Sequence, residues 1–411
     1  MQQQLKEKVK ALPLTPGVYL MKDSLGNIIY VGKAKQLRKR VQSYFVKNSS
    51  HSPKTRVLVS HIRDLEVRHT DTEFEAFLLE CRLIKELRPA YNRKMKNPEA
   101  YTYITLHRAR ENGLRYFSVS YSPEDKVGLR RFGPYSSRGT VERALEGIKE
   151  GLRIACSNPS GRSGPCLNHA LGRCIGMCAG GKAAEAYEAI VDRIILFLEG
   201  QSTDIPELME KRMVEAAERF DFEAAARYRD EGRAVAYLLQ KEKMISFAET
   251  GHISVVLEEM DGGLAKLFLI KGNRLLLNHR LSLAAYEQTT PALAREIAAR
   301  VRSAYVSARA DTHSPITRFD VDEAQIIYSY LQSNAACSRQ LDQAWLGDNA
   351  PPSLLEEAAA QLLENQSRLA VLEAAAGDGE AAAGGDAEVV AEMAEHEFDL
   401  KRGYDYGPGQ N

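Results

Sequence analysis

Two short apolar segments, each with a tyrosine near its centre, most constrain what the first part of this chain can fold into. Residues 17–21 (GVYLM) contain Tyr19, and residues 28–31 (IIYV) contain Tyr30. The polar, glycine-containing residues 23–27 between them are typical of a connection between antiparallel strands. The pattern therefore predicts a β-hairpin that holds the two phenols side by side in a small sheet.

Two helices are predicted after the hairpin. Residues 37–45 (LRKRVQSYF) place Arg40 and Tyr44 one turn apart on one helix face. Residues 73–87 carry Glu80 among apolar side chains in a second helical pattern, which a proline ends two residues later. Phenols, a guanidinium and a carboxylate on neighbouring elements are the groups that hydrolysis of a phosphodiester requires.

Each of these residues also has an ordinary structural explanation. Glu80 is one of several glutamates on its helix, and Arg40 is one of several cations between residues 33 and 40. Either tyrosine fits a small core with its hydroxyl hydrogen-bonded to a neighbour. Composition alone favours these explanations, so the functional prediction depends on the whole series in its order.

The series resembles the GIY-YIG nuclease family and, in its wording, the UvrC family of bacterial nucleotide excision repair. The segments PGVY, YVGKAK, LRKRVQSYF, LLECRLIK and PAYN follow one another in the family's order between residues 16 and 92. Several agreeing segments make the resemblance specific, whereas GVY alone would not. Cys81 departs from the polar residue expected after Glu80, and packing explains this better than chemistry.

The resemblance implies a metal-dependent nuclease site. Glu80 would bind Mg²⁺ or Mn²⁺, since one carboxylate suffices for a hard cation that keeps its waters. Arg40 would contact the scissile phosphate through its planar guanidinium. The implied catalytic residues are Tyr19, Tyr30, Lys33, Arg40, Tyr44, Glu80 and Asn92.

The resemblance also suggests roles for the uncharged residues of the site. Tyr30, ahead of Tyr19, is the expected general base, and the expectation requires that Lys33 and the nearby arginine lower the pKa of its phenol. Tyr44 is expected to orient substrate or water. Asn92 is expected to tie the end of the second helix to the active-site loop.

Four cysteines lie close together with the spacing Cys156-x9-Cys166-x7-Cys174-x3-Cys178. In a reducing compartment such a group indicates a metal or cluster site rather than disulfides. Irregularly spaced thiolates can hold Zn²⁺ or an iron–sulfur cluster, and the closely spaced pairs of many zinc sites are absent from the sequence. The region matches the cysteine segment of the UvrC family, which implies a [4Fe–4S] cluster, with zinc or free thiols as alternatives.

Residues 204–243 predict two antiparallel helices that meet near residues 220–222. From the pattern alone, this is an ordinary helical hairpin packed on its own domain. Residues 222–230 (FEAAARYRD) resemble the UVR motif of the UvrC family, which pairs with a matching hairpin on UvrB. The resemblance therefore implies UvrB as a partner, with UvrA upstream. The implied UvrB-binding residues are Phe222, Glu223, Ala225, Arg229 and Asp230.

The net charge of zero conceals a gradient along the chain. Residues 1–100 hold 20 Lys and Arg against 10 Asp and Glu, or +10, whereas residues 351–411 hold 3 against 13, or −10. A basic first part suits a polyanion such as DNA as a partner, and a solvated surface without a partner is the alternative. The family resemblance implies that this DNA is double-stranded and damaged. No apolar run approaches the roughly 18 residues of a membrane span, and the N-terminus lacks the apolar core of a signal peptide. We therefore expect a soluble, cytoplasmic protein with no membrane partner.

The predicted fold class is α/β (α+β), divided into five segments. Residues 1–97 would form the nuclease domain, with a small mixed sheet flanked by helices. Residues 98–199 would form a connecting segment with the cysteine cluster, and residues 200–245 the helical hairpin. Residues 250–345 would form a further small α/β module. Residues 346–411 would form an acidic, Ala- and Gly-rich tail, partly disordered, with a possible helix near its start.

Two of these segments allow more detailed predictions. In the connecting segment, the pattern predicts two strands, a turn at residues 132–135 (FGPY) and a helix near residues 140–152. In the later α/β module, three strands and a long helix precede a strand–helix pair around residues 316–331. Each expectation concerns local structure, where tertiary contacts can override sequence preference.

The function expected from these patterns is a DNA-repair endonuclease that UvrB recruits and that cuts 3′ to a lesion. No second nuclease of RNase H-like fold and no helix-hairpin-helix modules are recognisable after residue 345, so a 5′ cut is not expected. A non-catalytic accessory protein that binds UvrB or DNA is the first alternative. A mobile-element GIY-YIG nuclease with its own sequence specificity is the second, and the UVR-like hairpin disfavours it.

Overall fold

The structure is a computed structural model of an α/β protein with three antiparallel sheets among the residues that it describes. Helices pack against each sheet, which confirms the predicted fold class. Within the same residues, no helix is both long and apolar enough to cross a membrane. The described residues are 2–46, 52–96, 101–121, 128–156, 166–283, 290–308, 316–334, 337–347 and 350–377.

The first sheet consists of β1 (Gly17–Lys22), β2 (Ile28–Ala34) and β3 (Asp64–His69), in the order β2-β1-β3. The predicted hairpin between β1 and β2 is confirmed. Both pairings of β1 are antiparallel, so the mixed sheet expected from the resemblance is wrong in this detail. The reason is that β3 returns along the second edge of β1 after a helical connection, against the direction of β1.

Four helices accompany this sheet. They are α1 (Gln2–Lys10), α2 (Leu37–Ser43), α3 (Pro53–His61) and α4 (Glu73–Leu87). α4 has the predicted bounds because capping interactions fix both of its ends. Thr72 and Glu75 form a reciprocal capping box at its start, and Arg88 adopts a left-handed conformation at its end. α1, α3 and β3 were not predicted.

The second sheet consists of β4 (Thr102–Arg108), β5 (Arg115–Ser120) and β6 (Arg130–Tyr135), in the order β5-β4-β6. The predicted turn at residues 132–135 is wrong, because these residues belong to β6 and pair with β4. A Gly-Pro pair is a turn pattern by itself, and the edge position of β6 lets a proline remain in the strand. The helix α5 (Arg138–Gly151) packs against this sheet.

The cysteine region leads from α5 into a group of helices. α6 (Leu167–Ala170) and a 3₁₀ turn at Met177–Ala179 precede α7 (Gly181–Leu198). α8 (Asp204–Glu218) and α9 (Phe222–Thr250) then form the predicted antiparallel hairpin, although α9 continues seven residues beyond residue 243. Buried residues of α8 and α9 belong to the same core as α5 and α7.

Two glycines of α5 allow the hairpin to pack closely. A Cβ at Gly147 would lie 2.9 Å from Cβ of Glu231 in α9, and one at Gly151 would lie 2.4 Å from Cε of Met209 in α8. The part of the hairpin that contains Met209 and Glu231 therefore packs on α5 of its own domain, as the pattern alone suggested.

The third sheet consists of β7 (Ile253–Met260), β8 (Leu264–Lys271), β9 (Arg274–Ser282) and β10 (Ser338–Leu341), in the order β10-β7-β8-β9. Its helices are α10 (Thr290–Ser307), α11 (Val321–Ser333) and α12 (Pro352–Gly377). The predicted strand before α11 is wrong, because residues 316–320 contain a turn. The strand follows α11 instead, as β10 beside β7.

The helix α12 belongs to the core of this last module. Leu355, Ala358 and Leu362 are buried with residues of β7, β8 and α10. The module, which we call the C-terminal module (residues 253–377), therefore extends past the expected boundary at residue 345. The part of the expected tail (346–411) from residue 378 onwards lies outside the described residues.

Candidate active site

Three tyrosines form a cluster on one face of the first sheet. Tyr19 pairs with Gly32, and Met21 pairs with Tyr30, so both phenols project from the same face. The ring centroids of Tyr19 and Tyr30 are 6.2 Å apart, which confirms the predicted side-by-side arrangement. Tyr44 lies at the C-terminal end of α2, and its ring centroid is 5.9 Å from that of Tyr19 and 6.3 Å from that of Tyr30.

Hydrogen bonding and a glycine keep this cluster compact. The hydroxyls of Tyr19 and Tyr44 are 2.9 Å apart. A Cβ at Gly32 would lie 2.3 Å from the hydroxyl oxygen of Tyr19, so only glycine leaves room for that phenol. Tyr19 is 1% exposed, whereas Tyr30 and Tyr44 are half-buried. A substrate would therefore meet Tyr30 and Tyr44 before Tyr19.

Arg40 lies at the rim of the tyrosine cluster. Its guanidinium carbon is 5.8 Å from the ring centroid of Tyr44, and its side chain is exposed. The one-turn spacing predicted from the sequence thus places the cation over the aromatic ring. An exposed guanidinium beside phenols is suited to contact a phosphate.

Glu80 approaches β2 from the neighbouring helix α4. Its Oε1 accepts a hydrogen bond of 3.1 Å from the backbone N–H of Lys33. Burial raises the pKa of Glu80 to about 7, although Lys33, Arg40 and Lys94 each lower it. A carboxylate that has lost much of its hydration is stabilised in its charged form by a bound cation, which would replace the proton.

Two residues of this site were missed by the sequence analysis. Glu73 accepts a hydrogen bond of 2.6 Å from Nζ of Lys33, and the same ammonium lies 4.9 Å from the ring centroid of Phe77. Glu73 precedes Glu80 by two helical turns, a spacing that could have indicated a shared face. Lys94, which lowers the pKa of Glu80, follows the last conspicuous segment and no local pattern marks it.

Asn92 binds the edge of the sheet. Its Oδ1 accepts from the backbone N–H of Val31 and its Nδ2 donates to the carbonyl of Val31, both at 2.9 Å. Asn92 is 8% exposed. Asn92 therefore ties the chain after α4 to the strand that carries Tyr30, and not to a loop as predicted from the sequence.

The protonation of the tyrosines differs from the expectation. Burial raises the pKa of Tyr30 far above its ordinary value, Tyr44 raises it further, and Arg40 lowers it only in part. Burial likewise raises the pKa of Tyr19. The expected lowering by neighbouring cations is wrong for this structure, because loss of hydration outweighs the cations. Both phenols are protonated at neutral pH.

The donor atoms around Glu80 fit a hydrated cation rather than a protein-enclosed one. Across the described residues, no group of three or more His, Cys, Asp or Glu side chains could hold a metal ion. One half-buried carboxylate is sufficient for a cation such as Mg²⁺ that retains most of its waters.

The backbone brings the cysteine-bearing segments together, but the side chains do not form a ligand set. Ile154 and Cys174 form an isolated antiparallel bridge, and Ile175 N–H donates to the Arg153 carbonyl at 2.9 Å. Cys174 is 2% exposed, and its Sγ accepts from Gly176 N–H at 3.4 Å. All four cysteines of the region are described, and none belongs to a group that could hold a metal ion.

The tip of the α8–α9 hairpin presents two aromatic rings to solvent. Phe220 and Phe222 are 79% and 68% exposed, and their rings meet edge to face with centroids 6.3 Å apart. Glu223, Arg229 and Asp230 are exposed beside them, and Ala225 is half-buried. Exposed large apolar side chains at a helix–helix corner are typical of an interaction surface.

Comparison with known proteins agrees with this arrangement. Residues 15–93 match the family described as the UvrC-like GIY-YIG domain, and residues 101–197 match the middle domain of the UvrC/Cho excinucleases. Two successive segments of the chain are thus similar to domains of the UvrC family. The resemblance drawn from the residue series is thereby confirmed.

Individual relatives show how far the similarity extends. UvrABC system protein C of Moorella thermoacetica is 40% identical over 277 residues, which are 66% of this chain and 44% of the relative. The protein of the same name from Acetivibrio thermocellus is 36% identical over 335 residues, which are 80% of this chain and 52% of the relative. The chain thus spans about half the length of these UvrC relatives.

A solved structure matches the first domain. The GIY-YIG N-terminal endonuclease domain of Thermotoga maritima UvrC, bound to magnesium as its catalytic divalent cation, is 38% identical. The match covers 23% of this chain and all of that chain, with a TM-score of 0.21.

Proposed function

We propose that this protein is an endonuclease of nucleotide excision repair that hydrolyses one phosphodiester bond 3′ to a lesion in double-stranded DNA. The observation that carries the proposal is the convergence of Tyr30, Tyr44, Arg40 and Glu80 around β2. Similarity to the UvrC family supports excision repair as the setting. Bacterial chromosomal DNA is repaired in the cytoplasm, and we propose this location for the protein.

In this proposal the rim of the site binds the DNA backbone. Arg40 contacts the scissile phosphate with its exposed guanidinium and stabilises the charge that develops on the phosphate oxygens. Lys33 is held by Glu73 and Phe77, so its ammonium lies in a fixed position beside Glu80. Both cations would attract the polyanion before any bond is broken.

The tyrosines are proposed to orient the attacking water and to receive its proton. Tyr30 remains the first candidate to receive the proton of the attacking water, because it is more accessible than Tyr19. As a neutral phenol it can do so only while its own proton passes to another oxygen. Since its pKa is raised, its resting state is a neutral phenol that accepts a hydrogen bond from water and donates one to an oxygen. Tyr44 bonds Tyr19 and lies against Tyr30, which supports an orienting role for it.

Glu80 is proposed to hold Mg²⁺ or Mn²⁺. Such a cation, when bound, would lower the pKa of a coordinated water and offset charge on the phosphate. The half-buried carboxylate beside β2, whose pKa loss of hydration raises to about 7, supports this assignment. The magnesium bound to the Thermotoga maritima domain also supports it. Asn92 is proposed to keep β2 in place rather than to touch substrate.

Recruitment by UvrB, with UvrA upstream, is proposed to use the tip of the α8–α9 hairpin. Phe222 is the central contact of the proposed surface, with Glu223, Ala225, Arg229 and Asp230 around it. The 68% exposure of Phe222 on a hairpin whose base is packed on its own domain supports this role. Phe222→Ser should weaken UvrB binding, and Phe319→Ser is a matched control because Phe319 is 50% exposed elsewhere.

For the cysteine loop we propose a [4Fe–4S] cluster held by Cys156, Cys166, Cys174 and Cys178, with zinc as the alternative. The spacing and the backbone bonds that gather these segments support it. The four sulfurs do not form a group that could hold a metal ion in this structure, so the proposal rests on the cysteine spacing and the family resemblance, and no catalytic step is assigned to the site. Iron, sulfide and zinc analysis of protein purified without oxygen decides among cluster, zinc and free thiols.

We further propose a division into a nuclease domain (1–97), a connecting segment with the cysteines (98–199), a UvrB-binding hairpin (200–245) and the C-terminal module. The separate cores of the first sheet and of α5 with α7 to α9 support the first boundary. The burial of α12 supports a C-terminal module that reaches at least residue 363.

The deciding experiment is an incision assay on a damaged duplex labelled in turn at each end of the damaged strand. It contains UvrA, UvrB, ATP and Mg²⁺ or Mn²⁺, and it compares the protein with Glu80→Ala. Glu86→Ala is a matched control, because Glu86 is an exposed glutamate of the same helix.

A single cut on the 3′ side that is lost in Glu80→Ala and kept in Glu86→Ala would establish the proposed activity. UvrB binding without a cut by either metal would instead favour a non-catalytic accessory protein. Cutting of undamaged DNA at a defined sequence without any partner would favour a mobile-element nuclease.

A further inference from the structure

The helix that carries Glu80 has a second face, which packs on the C-terminal module. Glu73, Phe77 and Glu80 face the nuclease site. On the other side, Phe74 stacks on Tyr330 with ring centroids 3.8 Å apart and an interplanar angle of 8°. The buried residues of this second face share one core with β7, β8 and α11; they are Phe74, Leu78 and Cys81.

A buried lysine of the C-terminal module binds the start of α4. Lys266 of β8 is 5% exposed, and its Nζ lies 2.5 Å from Oδ2 of Asp71 and 3.1 Å from Oε1 of Glu75. Arg280 of β9 pairs with the other oxygen of Asp71. Two cations thus face two carboxylates at the first turn of α4. Because Lys266 is shielded from water, added salt would weaken its two ion pairs only slightly.

Glu75 connects this ion cluster directly to the backbone of α4. Its Oε2 accepts from the backbone N–H groups of Asp71 and Thr72 at 3.1 Å and 3.0 Å, which closes the capping box. Its Oε1 accepts from Nδ2 of Asn278 at 2.6 Å and faces Lys266. One carboxylate therefore fixes the helix start with one oxygen and the C-terminal module with the other.

We propose that Lys266 is a positioning residue of the nuclease site, which acts through Asp71 and Glu75 on the N-terminus of α4. The inference rests on the proposed nuclease function. Glu73, the partner of Lys33, lies within the turn that this cluster holds, and Glu80 lies two turns further along the same rigid helix. Without Lys266, two carboxylates are left without their shared buried cation, and the first turn of α4 shifts.

The test uses the full chain with Lys266→Met, which keeps the length of the side chain and removes its charge, and Lys266→Arg, which keeps the charge. Arg82→Ala is the matched control, because Arg82 pairs with Glu323 across the same contact, 3.2 Å apart but away from the helix start. The readouts are the nicking rate, the Mn²⁺ concentration at half-maximal rate, and amide hydrogen exchange in residues 72–80.

For Lys266→Met we expect a nicking rate about ten- to a hundredfold lower, since small misplacement of catalytic groups has effects of this size. We also expect a higher half-maximal Mn²⁺ concentration and faster exchange at the start of α4. Lys266→Arg should recover most of the rate, and Arg82→Ala should resemble the wild type. A variant that merely unfolds in part would lower the rate without changing the Mn²⁺ requirement.

Wild-type exchange and a wild-type Mn²⁺ requirement in Lys266→Met would overturn the proposal. If Lys266→Met does not fold, Asn278→Ala removes the other contact to Glu75 and should cause the same changes to a smaller degree. If the wild-type protein fails to cut DNA, the proposed function fails, whereas exchange and direct Mn²⁺ binding still decide whether Lys266 positions α4.

Discussion

Asn92 is the residue whose substitution most directly tests how the tyrosine site is held. In the strand order β2-β1-β3, β2 is an edge strand, and Asn92 binds both backbone groups of Val31 on its open side. The adjacent N–H of Tyr91 donates to the Ile29 carbonyl at 3.0 Å, so this short segment binds the backbone of β2 at two neighbouring positions. Asn92→Ala removes the two side-chain bonds and leaves the others.

The expected loss follows from two hydrogen bonds at a buried position. Each contributes about 1 kcal/mol net, and leaving a buried backbone group without a partner costs about 1–3 kcal/mol. Val31 is fully buried, and Asn92 is 8% exposed at the edge of the sheet. We therefore expect a loss of about 2–3 kcal/mol in the local stability of β2. Tyr30 precedes Val31, so nicking should fall as well.

Native-state hydrogen exchange of the Val31 amide measures this local free energy without requiring the whole chain to unfold in one step. Asn27→Ala is a matched control, since Asn27 lies in the exposed hairpin turn and binds Asp23 at 3.1 Å. Asn27→Ala should change the free energy of exchange of the Val31 amide by less than about 0.5 kcal/mol. A similarly small change in Asn92→Ala would refute the proposed support of β2.

Three further predictions concern charge and packing. Because the pKa of Glu80 is about 7, its carboxylate fraction rises about tenfold from pH 6 to pH 8, so the half-saturating Mn²⁺ concentration measured by titration should fall about tenfold. Burial, Glu249 and Glu199 raise the pKa of Glu242 from 4.5 to about 7, which makes stability fall as the pH rises between these values. Glu242→Gln should therefore stabilise the protein at pH 8, by about 1–2 kcal/mol after allowance for partial exposure, and not near pH 4.5, in urea unfolding at the two pH values. Gly147→Ala should lower the melting temperature because its Cβ meets Glu231, whereas Gly139→Ala, with no atom within 4 Å, should not.

The sequence predicted those parts of the fold whose local pattern and tertiary role agree. The β1–β2 hairpin has a turn-rich connection, and α4 has a capping box and a terminal proline signal, so both were placed correctly. β3 escaped prediction because its residues (DLEVRH) are mostly exposed and polar, and it is a strand through its pairing with β1. The expected turn at residues 132–135 failed for a related reason, because pairing with β4 overrides the Gly-Pro pattern.

The candidate site was predictable where its residues lie in one ordered series, and its electrostatics were not. Whether cations lower a tyrosine pKa depends on how much water the phenol has lost, which no residue pattern states. The burial of Tyr30 reversed the expected direction. Lys94 was missed because it affects Glu80 only through the fold.

The contacts of α4 could not be predicted from local patterns, because the helix packs on two different parts of the molecule. Its residues alternate between the nuclease sheet and the C-terminal module, so its apolar positions surround much of the helix and resemble those of a single buried core helix. Asp71 and Lys266 are 195 positions apart, and each is an ordinary surface charge when its own neighbourhood is considered alone. Only the fold brings them together at the start of the helix that carries Glu80. The nuclease site proposed within the first 92 residues thus packs, through α4, on residues beyond position 250, and if Lys266 positions α4 as proposed, its substitution should affect cleavage.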